Sequence, residues 1–374
     1  MEVVQPVPEQ WCQSVNPLNV FIVGSDAYHM QSGLSSTYWG SRRDLGLISL
    51  LPSFQGEDGI EMQSENVARV HVRGGDGDGD PRDLVSVRNS MNQYRDVLQE
   101  MVQGADVNII CATLGDSFTS GVTPVISQIS AQTGAVTIGL LALPHPDEGV
   151  KYMHHSKWSL EYTRPNLDAL IMLPMDIIYN VFSGSAMTHT LGEHITQMMS
   201  RVLRGIIDIM VLPGFKSCPR PDDVAGFFRG AGEILVSCRE VDYVPNGPYD
   251  AIHHCLRQPF HALRRYEGAQ KVLVSVCCGE AGLPVEEYLR IGQFCRHELG
   301  NETDVVVGPF TSERRGEKPF VVVYGRDIIE KRRDGFDYPV AEMPPEKAPP
   351  RLPAYYRKYY GAARSILSHD VSNF

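Results

Sequence analysis

The sequence predicts an α/β protein with a parallel sheet in its first half, a long central helix and a second, smaller α+β domain. Apolar runs of strand length alternate with helical segments through the first half, an order that favours a parallel sheet with helices on both faces. A proline-free helical pattern then runs from Thr188 to Ile209 and ends at Leu212-Pro213-Gly214. A chain of 374 residues is long enough for two hydrophobic cores.

The first half begins with the apolar run Asn19–Val23, which stops at Gly24-Ser25-Asp26 and therefore predicts a buried strand that enters a loop. A polar stretch of poor periodicity follows. Strands and helices then alternate as far as the central helix. The predicted strands are 105–113, 135–142 and 169–173, and the predicted helices are 83–103, 124–133 and 149–162.

The second half predicts a compact mixed sheet. Its predicted helices are 222–230, 249–257 and 284–297, and its predicted strands are 233–238, 271–277, 304–307 and 319–324. The proline-rich run Glu342–Pro353 predicts an extended linker, and an aromatic and basic tail with Tyr355 to Tyr360 follows it. The predicted units are a first domain over 1–187, the central helix over 188–214, a second domain over 215–330, and a linker and tail over 331–374.

Composition excludes several classes of protein. The net charge of -11 opposes non-specific binding to nucleic acid or to anionic membranes. No apolar run reaches the roughly 18 residues of a membrane span, and the first residues lack the apolar core of a signal peptide. Eight scattered cysteines in a chain of this size indicate reduced, mostly buried thiols. We therefore predict a cytoplasmic protein.

Four segments occur in an order that points to one family. They are Gly104–Val125; Thr133–Pro144 with Glu148-Gly149; Leu167–Asp176 with Arg204–Gly214; and Gly230–Leu235 with Glu267–Val274, Gly279-Glu280 and Val285–Glu287. Across roughly Asn19 to Arg326 the chain resembles the tubulin/FtsZ family. The resemblance implies a Rossmann-type GTPase domain, a central helix and an activation domain. It also implies a prokaryotic cytoskeletal protein of cell division that forms filaments and binds GTP or GDP with Mg²⁺.

The resemblance places the nucleotide at glycine-rich turns, because glycine lets backbone N–H groups close on an anion. Where the family has G-G-G-T-G-T-G, this chain has Gly115-Asp116-Ser117-Phe118-Thr119-Ser120-Gly121. The inner glycines are replaced, and Asp116 stands where phosphate would lie. The first turn, Gly24-Ser25-Asp26, also replaces a run of glycines and adds an acid. Both changes oppose GTP binding unless a cation intervenes.

Three further positions follow from the resemblance. Glu148 matches a ribose-contacting glutamate, Tyr152 replaces the arginine that accompanies it, and Gln197 replaces a base-reading aspartate. The family's N-x-D-x-x-D loop, whose acids position the attacking water in a neighbouring subunit's site, corresponds to the segment from Cys218 to Asp223. Its candidate catalytic acids are Asp222 and Asp223, while the earlier Asn and Asp fall near Cys218 and Arg220.

The acids of these loops allow more than one interpretation. Asp116 and Asp26 are either surface acids or part of a cation site. Gly74–Asp80 imitates the start of a calcium loop, but Pro81 and Val87 replace the required Gly and Glu, so the segment could also form a cation-filled or empty pocket. Neighbouring histidines at 154–155 and 253–254 lack metal-ligand spacing. We assign no metal ligand.

We predict a filament-forming protein that associates with itself head to tail, with GTP binding and hydrolysis lost or weak and no cofactor required. One alternative is an atypical GTPase that uses Glu148 and Asp222 or Asp223 at the subunit interface with GTP and Mg²⁺. Another is a non-polymerising regulator of an intact FtsZ. An intact FtsZ or a tail-binding protein is a possible further partner, whereas nucleic acid is not expected.

Overall fold

A computed structural model describes residues 17–24, 30, 45–53, 59–73, 84–175, 191–211, 219–241, 247–257, 260, 266–278, 282–311 and 318–328. Its strands are β1 (Leu18–Val23), β2 (Leu45–Ser53), β3 (Gly59–Ser64), β4 (Val67–Arg73), β5 (Val107–Thr113), β6 (Val136–Leu143), β7 (Ala169–Pro174), β8 (Gly232–Glu240), β9 (Ala269–Cys278), β10 (Asp304–Thr311) and β11 (Phe320–Ile328). They form one sheet in the order β10-β9-β11-β8-β7-β6-β5-β1-β2-β4-β3.

The helices follow the predicted order. They are α1 (Leu84–Ser90), α2 (Arg95–Met101), α3 (Ser117–Gln132), α4 (Val150–Thr163), α5 (Leu191–Val211), α6 (Pro221–Phe228), α7 (Gly247–Arg257) and α8 (Val285–Leu299). Short 3-10 turns lie at Met91–Tyr94, Pro146–Glu148 and Arg164–Asn166.

The first half of the sheet is parallel except for its edge strand. Strands β4, β2, β1, β5, β6 and β7 pair in parallel, and β3 runs antiparallel to β4. Their carboxyl ends therefore meet along one edge of the sheet, which we call the carboxyl edge, and their beginnings form the amino edge. This arrangement confirms the predicted parallel α/β domain.

The two halves share the sheet through a short parallel pairing of β7 with β8, from Ala169 opposite Gly232 to Ile171 opposite Ile234. Beyond it, β11 runs antiparallel to both β8 and β9, and β10 is parallel to β9. The mixed sheet predicted for the second half is confirmed.

Helices cover both faces of the sheet, so its inner strands must be apolar on both sides. Strand β5 shows this directly: Ile109 and Cys111 belong to one buried cluster, while Ile110 and Ala112 belong to another on the opposite face. A continuous apolar run is therefore the correct signature of this strand.

Helix α5 connects the two halves. Near its start, Met199 Sδ accepts a hydrogen bond of 3.9 Å from Thr113 Oγ1 at the carboxyl edge. Further along, a Cβ at Gly205 would lie 2.5 Å from Tyr324 Oη on β11, so only glycine lets the helix approach that strand. On either side of Gly205, Arg204 and Asp208 form a buried ion pair with an N–O distance of 3.0 Å.

Two sequence predictions were wrong in detail. The stretch regarded as polar and aperiodic contains β2, β3 and β4, of which β2 is almost entirely buried. The helix predicted over 124–133 begins at Ser117, so that five of the positions assigned to a phosphate loop, Ser117 to Gly121, lie in its first turns.

Several predictions concern residues outside the described ranges. These are Ser25 and Asp26, the acidic segment Gly74–Asp80, the domain boundaries near 187, 214 and 330, and the linker and tail. Among the described helices, none is long and apolar enough to cross a membrane. The described cysteines are free thiols, and all but the partly buried Cys238 are buried.

Candidate functional site

The candidate site lies at the carboxyl edge, where the turns after β1 and β5 meet the beginning of α3. Asp116 is the N-cap residue of α3, and its Oδ1 accepts a hydrogen bond of 2.8 Å from the Thr119 backbone N–H. Aspartate is favoured here because the first N–H groups of a helix have no partner within the helix, and because a negative charge complements the helix dipole. A carboxylate of the chain itself therefore occupies the anion-binding end of α3.

Other donors in this turn are also engaged. The Gly115 N–H donates to Ser120 Oγ at 3.1 Å, and the Ser120 N–H donates to the Asp116 carbonyl at 3.1 Å. Ser120 and Thr119 are buried, and Phe118 is only 5% exposed and packs in the hydrophobic core between sheet and helices. The first turn of α3 thus directs its side chains into the protein.

The turn after β1 lies against this helix. Gly24 has a φ of +102°, and a Cβ at this position would lie 2.4 Å from Thr119 Oγ1. Its N–H donates to the Leu50 carbonyl at 2.9 Å, which fixes the turn to β2. Glycine is needed at this position both for its backbone angle and for the close approach of Thr119.

The two remaining glycines of the altered motif have packing roles. Gly115 has a φ of +137°, and a Cβ there would lie 3.0 Å from the ring of Tyr152. A Cβ at Gly121 would lie 3.0 Å from the Leu84 carbonyl and 3.1 Å from Val87 Cγ1, where α1 crosses α3. These contacts account for both glycines without a bound anion.

His155 is part of this site, although we did not select it from the sequence. Its Nδ1 lies 3.1 Å from the Gly115 carbonyl, and since a carbonyl only accepts, Nδ1 must carry the proton. Burial, and then the charge of Lys151, lower the pKa of His155. The i, i+3 spacing from Tyr152 on one helix face was the available signal, because Tyr152 was already a site position.

Glu148 and Gln197 are exposed. Glu148 Oε1 accepts a hydrogen bond of 2.8 Å from the His145 N–H, and His145 Nδ1 accepts one of 3.2 Å from the Asp147 N–H. Glu148 therefore closes a reciprocal cap on its own short turn. Gln197 lies on α5 two residues before Met199, whose contact with Thr113 places this part of the helix at the carboxyl edge.

The candidate catalytic acids are separated from this cluster. Asp222 and Asp223 lie at the start of α6, and the turn after that helix is fixed to the amino edge, where Asp168 Oδ1 accepts a 3.0 Å hydrogen bond from the Gly230 N–H. Asp168 directly precedes β7, so the six residues of that strand, about 20 Å, separate this attachment from the carboxyl edge. Within one chain, the acids and the Asp116 turn are not brought together.

Asp223 also has a local role. Its Oδ2 accepts a 3.0 Å hydrogen bond from the Arg220 N–H and lies 3.5 Å from the Arg220 Nε. The backbone hydrogen bond, followed by the charge of Arg220, lowers the pKa of Asp223. No group of three or more His, Cys, Asp or Glu side chains within the described ranges is arranged to hold a metal ion.

Comparison with known proteins identifies relatives of this arrangement. The family model described as "Tubulin/FtsZ family, GTPase domain" matches residues 85–183. The chain is 24% identical over 220 residues to "Cell division protein FtsZ 1" of Thermococcus kodakarensis, covering 59% of this chain and 57% of that protein. It is 23% identical over 223 residues to FtsZ of Azotobacter vinelandii, covering 59% and 55%. The matched segments thus span little more than half of these relatives.

Solved structures share the fold over a larger part of the chain. An empty FtsZ dimer of M. jannaschii has a TM-score of 0.67 at 15% identity and covers 82% of this chain and 88% of that one. A GTPγS-bound protofilament of CetZ2 from Haloferax volcanii has a TM-score of 0.59 at 16% identity, with coverages of 83% and 94%. The FtsZ/tubulin fold is thereby confirmed.

Proposed function

We propose that this divergent FtsZ-like protein assembles head to tail with copies of itself and does so without ordinary GTP turnover. One observation carries the proposal: the Asp116 carboxylate accepts the Thr119 N–H at 2.8 Å. The resemblance places the nucleotide phosphates at this end of α3, and the chain supplies its own anion there.

Electrostatics gives the cost of adding a phosphate beside this carboxylate. Two unit charges 4 Å apart repel by about 4 kcal/mol at an effective dielectric constant of 20. Asp116 is exposed, so solvent screening lowers this value. The N–H groups of Gly115 and Thr119 would also have to leave Ser120 and Asp116. Both effects weaken phosphate binding at this turn.

The second domain supports the same proposal. Asp223 caps its own helix through the Arg220 N–H, and Arg220 stands near a position where the family has an acid. The atypical GTPase would instead have Asp222 and Asp223 act on a neighbouring subunit's nucleotide. If Asp223 is the acting acid, that mechanism would use it while its carboxylate also holds the start of α6.

Self-association is supported by the relatives. The similar solved structures include an FtsZ dimer and a CetZ2 protofilament. A head-to-tail contact uses two different surfaces of each subunit and therefore continues into a filament when it does not close into a ring. The carboxyl and amino edges of this sheet provide two such surfaces.

Sedimentation of the purified full chain tests the proposal. We expect pelleting above a critical protein concentration that is the same with and without GTP and Mg²⁺, no guanine nucleotide released on denaturation, and no heat on calorimetric titration with GTP. An intact FtsZ is the positive control. Pelleting only with GTP would overturn the proposal in favour of the GTPase. Absence of pelleting at every concentration, with co-pelleting on intact FtsZ filaments, would favour the regulator.

A further inference from the structure

We infer that the two ends of this protein join through an ion pair between Arg220 of one copy and Asp116 of the next. The inference rests on the proposed head-to-tail assembly and names the contact that replaces the nucleotide in it. Its partner is a second copy of the same chain.

One side of this contact is the Asp116 carboxylate at the carboxyl edge. One oxygen accepts the Thr119 N–H, which fixes the side chain, and the residue is exposed. The surrounding surface carries further acids, since Asp147 has a side chain 92% exposed and Glu148 is also exposed. Lys151 is exposed on α4 and adds one positive charge near these acids, so Asp116, Asp147, Glu148 and Lys151 together carry a net negative charge.

The other side of the contact is Arg220, the N-cap residue of α6. Its side chain is 78% exposed, and the Nε lies 3.5 Å from Asp223 Oδ2. Exposed pairs of this kind contribute little and exchange partners easily. A guanidinium has five N–H donors, so Arg220 can keep its contact with Asp223 and still bind a second carboxylate.

The charges of Arg220 and Asp116 are opposite, and Arg220 stands in a segment where the resemblance would place acids, while Asp116 stands where it would place a phosphate. The family has acids in the segment of Arg220 and uncharged glycines beside a bound phosphate at the turn of Asp116. With Asp116 alone changed, carboxylate would face carboxylate across the interface. With Arg220 present as well, a guanidinium faces Asp116, and this pair is attractive without a nucleotide. The exposed acids Asp222 and Asp223 beside Arg220 oppose it in part. The two changes therefore compensate one another.

Charge reversal gives a decisive test because each subunit carries both ends. In D116R, arginine faces arginine at every contact, and in R220D, acid faces acid. We expect each variant alone to need at least about tenfold more protein to pellet, the range of close charge pairs at interfaces. In an equimolar mixture every contact again joins opposite charges if the copies alternate. We therefore expect the mixture to pellet near the wild-type concentration.

A matched control separates this pair from general charge effects. Arg229 is exposed at the other end of α6. We expect R229D to pellet like the wild type, and we expect it not to rescue D116R. Rescue by R229D would show that any acidic variant suffices, and would overturn the assignment to Arg220.

A second pair of variants covers the case in which D116R does not fold. D116N and R220Q remove one charge each, and asparagine can still cap α3. We expect each to raise the critical concentration and D116N/R220Q to be no worse than either single variant. If wild type pellets and R220Q pellets equally well, the ion pair is refuted while head-to-tail assembly stands. If the wild type does not pellet at any concentration, the proposed assembly and this contact are both refuted.

Discussion

Replacing Asp116 by alanine tests whether the carboxylate stabilises α3. The variant loses the acceptor of the Thr119 N–H, at a cost of about 1 kcal/mol for an N-cap. It also loses the charge at the helix dipole, which adds roughly 0.3–1 kcal/mol. We therefore expect the free energy of unfolding to fall by about 1.5 kcal/mol.

A second substitution separates the two contributions. Asparagine keeps an acceptor oxygen in the same place, so D116N loses only the dipole contribution of roughly 0.3–1 kcal/mol. D147A is the control. The Asp147 side chain is 92% exposed, and substitutions of exposed side chains usually change the free energy of unfolding by about 0.5 kcal/mol or less. Guanidinium denaturation followed by circular dichroism gives the three values. If D116N is no more stable than D116A, or D116A matches the wild type, the cap does not act as described.

The same variants give an independent second measurement. Removal of the carboxylate frees the Thr119 N–H and removes a negative charge from the end of α3. We expect the affinity of D116A for pyrophosphate to rise about tenfold, the effect of 1.4 kcal/mol, with D116N intermediate. Calorimetric titration at low salt measures this. Equal pyrophosphate affinities in the wild type and both variants would show that Asp116 does not weaken anion binding at this turn.

Three further predictions concern the framework that holds the site. In R204L, Asp208 stays buried without the Arg204 guanidinium. We expect the free energy of unfolding, measured by denaturant, to fall by about 3–5 kcal/mol. A decrease below about 1 kcal/mol would contradict this expectation. In D168A, the Thr137 and Gly230 amides lose their acceptor. We expect the free energy of unfolding to fall by about 1–3 kcal/mol and hydrogen exchange at Gly230 to become faster. Unchanged exchange at Gly230 would contradict the role of Asp168 in holding this turn. Burial raises the pKa of Cys255 and Cys295 to about 12 each. We therefore expect iodoacetamide at pH 8 to label these two thiols only after denaturation. Peptide mass spectrometry measures the labelling, and labelling of the folded protein would contradict the prediction.

Sequence predicted most strands of the parallel sheet that are buried on both faces, but it missed β2, which is almost entirely buried. Strand β5 is continuously apolar because helices cover it on each side. Strand β4, Val67–Arg73, was missed although apolar and polar residues alternate along it, which is the pattern of a strand with one polar face. Strand β3 has a weak pattern because it lies at the edge of the sheet and is half exposed.

The sequence predicted that a turn carrying Asp116 follows β5, but it did not predict the geometry of that turn. The order of the segments located the turn at Asp116, and the charge of that residue suggested a conflict with phosphate. The cap of α3 was missed because Gly115 to Gly121 was treated as a loop, although Asp followed by Ser is a usual helix start. The contact of His155 with the Gly115 carbonyl depends on how α4 packs, which no local pattern determines.

The glycines of the altered turn show why this site can change without loss of the fold. Gly24, Gly115 and Gly121 remain where a Cβ would meet Thr119, Tyr152 or helix α1 within 3.0 Å, so packing alone retains them. An inner glycine that is needed only to bring the backbone close to an anion has no such constraint, and replacing it by Asp116 adds a cap that stabilises α3. Under the proposed function, the residue that would oppose the nucleotide is therefore the one that keeps the helix start in place, and a filament contact through Arg220 would make use of the same charge.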